Sequence, residues 1–144
     1  MYSVDEIIEL WQKDSVIDRT EPGRELINIP ILHAKYLKIL SNHRLAMKNC
    51  EFNLNKLKKL KWEYYTGKMD KDTLNTYGWQ PFPYTLKSEI TTYLESDDEL
   101  IKLYAKKQLH EEAVELCSSI IKELNSRTYQ LRSFIDYEKF INGI

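Results

Sequence analysis

From Tyr84 to Asn142 the chain contains neither glycine nor proline, and this is the feature that most limits how it can fold. Such a run with apolar residues at helical spacing has one economical solution, a long amphipathic helix. Ser96 and Glu99 form a capping-box pattern, and Asp97 and Asp98 suit the positive end of a helix dipole. The spacing therefore predicts a final helix from about Asp97 to Ile141. Leu109, Ala113, Leu116, Ile120, Leu124, Leu131 and Phe134 mark one stripe on it, widened by Cys117, Ile121 and Ile135. At 1.5 Å per residue it would span on the order of 65 Å, longer than a domain of this size is wide. The stripe is thus expected to pack between subunits of a homo-oligomer.

A second long helix precedes it. From a start near Pro30, well suited to a first helical position, it is expected to end at Gly67. Alternating steps of three and four pick out Ile29, His33, Tyr36, Leu40, His43, Met47, Cys50, Leu54, Leu57, Lys61 and Tyr64. Most are apolar, and Lys61 falls on the same seam. A short helix over Val4 to Lys13 follows from the Ser3/Glu6 capping box and from Val4, Ile7, Ile8 and Trp11 on one face. Lys68 to Tyr84 reads as a loop, and its Tyr77, Trp79, Phe82 and Tyr84 are expected to form an aromatic clamp. Another short helix is expected around Leu86 to Leu94. No strand signal or internal repeat is visible. The fold class is all-α, one helical domain over 1–144, with an N-terminal part over 1–95 and the long helix over 96–144.

Several function classes lack their chemistry. Gly23, Gly67, Gly78 and Gly143 do not form a phosphate-wrapping loop with a lysine. His33, His43 and His110 show no zinc spacing, and neighbouring acids such as Glu111 and Glu112 point to different sides of a helix. No enzyme, metal or cofactor is implied. Cys50 and Cys117 lie among apolar neighbours, as reduced buried thiols do. No run is apolar enough to span a membrane, and Asp5, Glu6 and Glu9 stand where a signal peptide would be basic, so the expected location is cytoplasmic.

Charge is unevenly spread. Residues 1–34 hold three basic and seven acidic side chains, residues 35–71 ten and three, and residues 72–144 eight and twelve. A basic centre between acidic flanks points to an anionic partner met at one place. On a helix Arg44, Lys48, Lys56 and Lys59 share the face opposite Met47, Cys50, Leu54 and Leu57, and Trp62 follows Lys58 and Lys59 by four and three residues. Cations that track phosphates and an aromatic that stacks on bases are what sequence-tolerant single-strand binding needs. A basic amphipathic helix also suits a membrane surface, an acidic protein, or plain solvation. Charge alone does not choose among them.

The same segment resembles a known family. UvsY mediators carry a lysine, any residue, arginine or lysine, any residue, an acid, two tyrosines, a small residue and glycine; here these are Lys59, Leu60, Lys61, Trp62, Glu63, Tyr64, Tyr65, Thr66 and Gly67. Asp14, Ile17, Asp18 and Thr20 upstream, and Lys87, Ser88 and Glu89 downstream, are similar to further family stretches. Lys61 stands in place of the family's arginine, and Lys58 in place of a leucine before the pair. The resemblance implies a recombination mediator, active in phage replication and repair in the host cytoplasm. It would bind single-stranded DNA through Lys59 and Lys61, to which the reading of the basic segment itself adds Lys58, Lys56, Trp62, Lys48, Arg44 and Lys68 as candidate contacts. It also implies a hexameric or heptameric ring, a RecA-like recombinase and a single-strand-binding protein as partners, and loading of that recombinase onto covered strands. The rival reading is a coiled-coil structural or adaptor protein of virion assembly with no DNA binding. A helix-turn-helix regulator is a third choice, because no pair of short helices joined by a tight turn lies near the basic segment.

Overall fold

In a computed structural model, which describes residues 1–83 and 86–144, the described chain is helical and holds no strand. Helix α1 is Val4–Asp14, α2 is Pro22–Tyr65, α3 is Lys71–Tyr77, α4 is Ile90–Glu95 after a 3-10 turn at Lys87–Glu89, and α5 is Asp98–Ile141. The chain forms two compact units. One comprises 1–45 and 109–144, the other 46–108, so α2 and α5 each contribute one stretch to each unit.

The first unit is built around Ile7, Leu32, Tyr36, Ile39 and Leu40 packed against Ala113, Cys117, Ile120 and Leu124. Ser3 caps α1 by accepting a hydrogen bond from the Glu6 N–H at 3.2 Å, as its capping-box pattern predicts. At the other end of α1 the Arg127 guanidinium donates to the carbonyls of Asp14 (3.1 Å) and Ser15 (3.2 Å). It thereby satisfies acceptors that a helix C-terminus leaves open. Trp11 meets Tyr36 edge-on at 5.7 Å, and the Tyr36 hydroxyl donates to Asp14 at 2.8 Å. His43, on the buried seam, is held at both ring nitrogens: Nε2 lies 2.7 Å from the Tyr2 carbonyl and Nδ1 2.9 Å from Nδ1 of His110. Burial pushes the Cys117 thiol up to about 11.

That core corrects the reading of the α5 stripe. Ala113, Ile120, Leu124 and Leu131 were expected to cover a neighbouring subunit, yet all four are buried within their own chain. For Ala113, Ile120 and Leu124 the cover is α1 and the first half of α2, which one-dimensional periodicity cannot place. Leu116 and Phe134 are half-buried, and Leu109 is exposed.

Four local features also differ from expectation. Helix α2 begins at Pro22 and runs through Pro30. An interior proline removes a helical hydrogen bond at a cost of roughly 3 kcal/mol, and burial of Leu32, Tyr36, Ile39 and Leu40 beyond it outweighs that cost. The expected loop over 68–84 contains α3, capped by Asp70, which accepts from the Thr73 N–H at 2.7 Å, and closed by Gly78 at φ 69°. The residues expected to form one helix over 86–94 divide into the 3-10 turn and α4, and Asp97 rather than Ser96 caps α5, accepting from the Leu100 N–H at 3.0 Å.

Candidate nucleic-acid interface

The basic segment of the second unit lies on the C-terminal half of α2, and how that helix ends decides where its last side chains go. The Gly67 N–H bonds the Tyr64 carbonyl (3.2 Å) and the Lys68 N–H bonds the Glu63 carbonyl (3.0 Å). This double closure needs a left-handed residue, supplied by Gly67 at φ 72°. The reversal brings the Lys68 ammonium to 4.5 Å from the centre of the Trp62 ring, a cation–π distance. Trp62 itself is 41% exposed. Its expected neighbours Lys58 and Lys59 are exposed on the helix before it, as are Lys48 and Lys56. Arg44 is exposed too, but belongs to the first unit.

Lys61 is the correction at this site. Expected beside Lys59 as a contact to DNA, it is only 6% exposed. Its ammonium lies 3.1 Å from the Asp97 carboxylate, 3.5 Å from that of Glu99, and 4.2 Å from the centre of the Trp79 ring. The reason is its place on the seam between Leu57 and Tyr64, which faces the start of α5 within this unit.

Asp97 is the centre of the arrangement. One oxygen caps α5 through Leu100, and the other accepts the Tyr65 hydroxyl at 2.5 Å and faces Lys61. Burial alone would raise this carboxyl. The hydrogen bonds from Tyr65, the Leu100 N–H and Lys61, together with the charge of Lys61, outweigh it and hold the group below the usual aspartate value. The Tyr65 hydroxyl is pushed up, first by burial and then by its bond to Asp97.

Around this pair the aromatic clamp closes. Trp79 packs on Tyr64 at 5.0 Å and on Tyr77 at 4.8 Å, while Phe82 meets Tyr64, Tyr65 and Tyr93. The Tyr64 hydroxyl donates to the Gln80 carbonyl at 2.7 Å. Tyr84, the fourth expected member, lies outside the described residues. The two tyrosines of the sequence motif thus pack within this clamp.

One further cation was missed in the basic cluster. Lys87, from the 3-10 turn, lines the same notch as Trp62 and Lys68. Helical periodicity on α2 carries no signal for a residue on another element.

A second notch in this unit is lined by Leu54, Lys58, Leu94, Glu95, Leu100, Ile101 and Tyr104. Among the described residues no cluster of three or more metal-ligating side chains occurs, and no helix is long and apolar enough to cross a membrane.

Comparison with known proteins places this geometry in context. A family model described as "Recombination, repair and ssDNA binding protein UvsY" matches residues 10–144. The recombination protein uvsY of Enterobacteria phage T4 is 25% identical over 140 residues, covering 97% of this chain and 98% of that one. The crystal structure of the bacteriophage T4 recombination mediator protein UvsY in lattice type II superimposes with a TM-score of 0.86 at 24% identity, covering 99% of both chains. The same protein in lattice type I gives 0.81 at 26% identity, over 92% of this chain and 96% of that one.

Proposed function

This chain belongs to the UvsY family, and on that premise we propose that it is a non-enzymatic recombination mediator. It binds single-stranded DNA and promotes loading of a RecA-like recombinase onto strands covered by a single-strand-binding protein. The observation that supports this best is the row of exposed cations Lys48, Lys56, Lys58 and Lys59 on α2, ending in the half-open Trp62 with Lys68 over its ring. Lysine ammoniums neutralise phosphates, and an exposed indole accepts bases of any sequence. Lys61 acts here as a positioning residue: by holding Asp97 it fixes α2 against the start of α5 and so sets the geometry of the exposed row.

Four or five lysines on one subunit make a modest site. A homo-oligomeric ring, hexameric or heptameric, would repeat it along one strand and raise affinity through effective concentration. Its contacts would use apolar side chains still open on α5, among them Leu109, Tyr129 and Phe140, with the half-buried Leu116 and Phe134. Wrapping a strand around such a ring would loosen the covering protein and offer the recombinase an extended template.

The test is a titration of a labelled oligonucleotide by fluorescence anisotropy over a range of salt, followed by recombinase assembly on a strand already covered by single-strand-binding protein. Binding that weakens steeply with salt and faster assembly support the reading. Indifference to the strand at low salt favours a structural or adaptor protein instead.

A further inference from the structure

Deepening the strand-binding reading above, on which it rests, we propose that the notch between the end of α2 and the Lys87–Thr91 segment is a nucleobase subsite. One base of single-stranded DNA seats against Trp62 while its flanking phosphates meet Lys68 and Lys87. The notch measures about 510 Å³, and its walls include Trp62, Lys68, Lys87, Ile90, Thr91 and Leu94. That size lies within the roughly 300 to 1,000 Å³ typical of small-ligand sites, enough for a nucleotide. Its chemistry selects the class of ligand. Ile90, Leu94 and the indole form an apolar wall for a flat ring, Thr91 adds a hydroxyl, and two ammoniums stand at the notch with no carboxylate among its described lining residues.

The other notch of this unit makes the contrast. It too has an apolar lining, with Tyr104 as its aromatic, and one lysine, but it also has Glu95, which disfavours a phosphate. At the Trp62 notch, by contrast, the cations come from two elements. Lys68 is placed by the Gly67 reversal and Lys87 by the 3-10 turn, so a strand crossing the notch would be gripped on either side of the base.

The test compares oligo-dT with an abasic strand of equal length, which keeps the phosphates and removes the bases. For the full-length protein we expect tighter binding of oligo-dT, and for Trp62→Ala a several-fold to roughly hundredfold loss confined to oligo-dT. Trp62→Phe should recover most of that loss. Lys87→Ala should weaken both strands alike and lower the slope of log affinity on log salt by about 0.7 per engaged subunit. Ultraviolet cross-linking of the unaltered protein to a 5-iodouracil strand should place adducts on Trp62 or on residues 87–94. Full discrimination retained by Trp62→Ala, or adducts confined to other segments, overturns the subsite while leaving strand binding intact. No binding of either strand by the unaltered protein at low salt overturns the underlying reading and the subsite with it.

Discussion

At the scale of single residues, Lys59 and Lys61 are two lysines of one motif with different duties. Lys59 is solvated, whereas Lys61 and Asp97 form a buried pair with side-chain exposures of 8% and 4%. Removing one member of such a pair strands the other charge, at a cost of roughly 3 to 5 kcal/mol. Lys61→Ala should therefore lower the thermal midpoint markedly before any DNA is added, while Lys59→Ala leaves it within about a degree or two of the parent, as surface changes do. Differential scanning calorimetry distinguishes them, and equal midpoints would refute the assignment. The Asp97 carboxyl adds a pH dependence. Its folded pKa is depressed, so its contribution to stability is complete above the unfolded value of about 4 and is lost as pH falls through the lower folded value. Acid unfolding followed by circular dichroism should show a flatter low-pH limb in Asp97→Asn than in the parent protein. The burial of Lys61 was legible in its seam position. Its partner was not, because Asp97 reads locally only as part of a helix start and nothing in the intervening sequence brings the two together.

At the scale of elements, local chemistry was legible wherever it was self-contained. Ser3 and Glu6 marked the start of α1, and the acidic start at Asp97 and Asp98 with the glycine-free run after it marked α5 to within a residue. Helix α3 was hidden by its length: seven residues show too little periodicity, although Asp70 and Gly78 flank it as cap and stop. Pro30 misled in the other direction, since tertiary burial overrode its local cost. Of the α5 stripe, Ala113, Ile120, Leu124 and Leu131 are buried within the chain, whereas Leu109 is exposed, a division that periodicity along one helix does not give. Ile120 and Leu124 are 2% and 0% exposed inside the first unit, so Ile120→Asp with Leu124→Asp should abolish that unit's cooperative unfolding, not merely separate subunits. Chemical denaturation followed by near-ultraviolet circular dichroism, sensitive to Trp11 and Tyr36, tests this. A variant with native tertiary signal that sediments as a monomer would show that the stripe is an interface after all.

At the scale of the whole molecule, the exposed apolar residues matter most. Leu109, Tyr129 and Phe140 remain open at 63%, 73% and 81%, more apolar surface than α5 needs for its own unit. If a ring forms through them, Leu109→Ser with Phe140→Ser should lower the sedimentation coefficient, keep the helical signal, and weaken strand binding although every lysine is intact. Unchanged sedimentation would place assembly elsewhere, for instance on Ile27, Ile31 or Phe52 of α2. Neither the subunit number nor the interface was legible in the sequence, since a stripe on one helix does not say whether its cover comes from the same chain or another. The most direct test of the central claim, that exposed lysines of α2 hold single-stranded DNA, is the salt dependence of oligonucleotide binding in Lys56→Ala/Lys58→Ala/Lys59→Ala against the unaltered protein. The account predicts an unchanged melting temperature and sedimentation, weaker binding at low salt, and a slope of log affinity on log salt lower by about 2 per engaged subunit, about 0.7 for each phosphate no longer neutralised. An unchanged slope and affinity in a folded, assembled triple variant would contradict it.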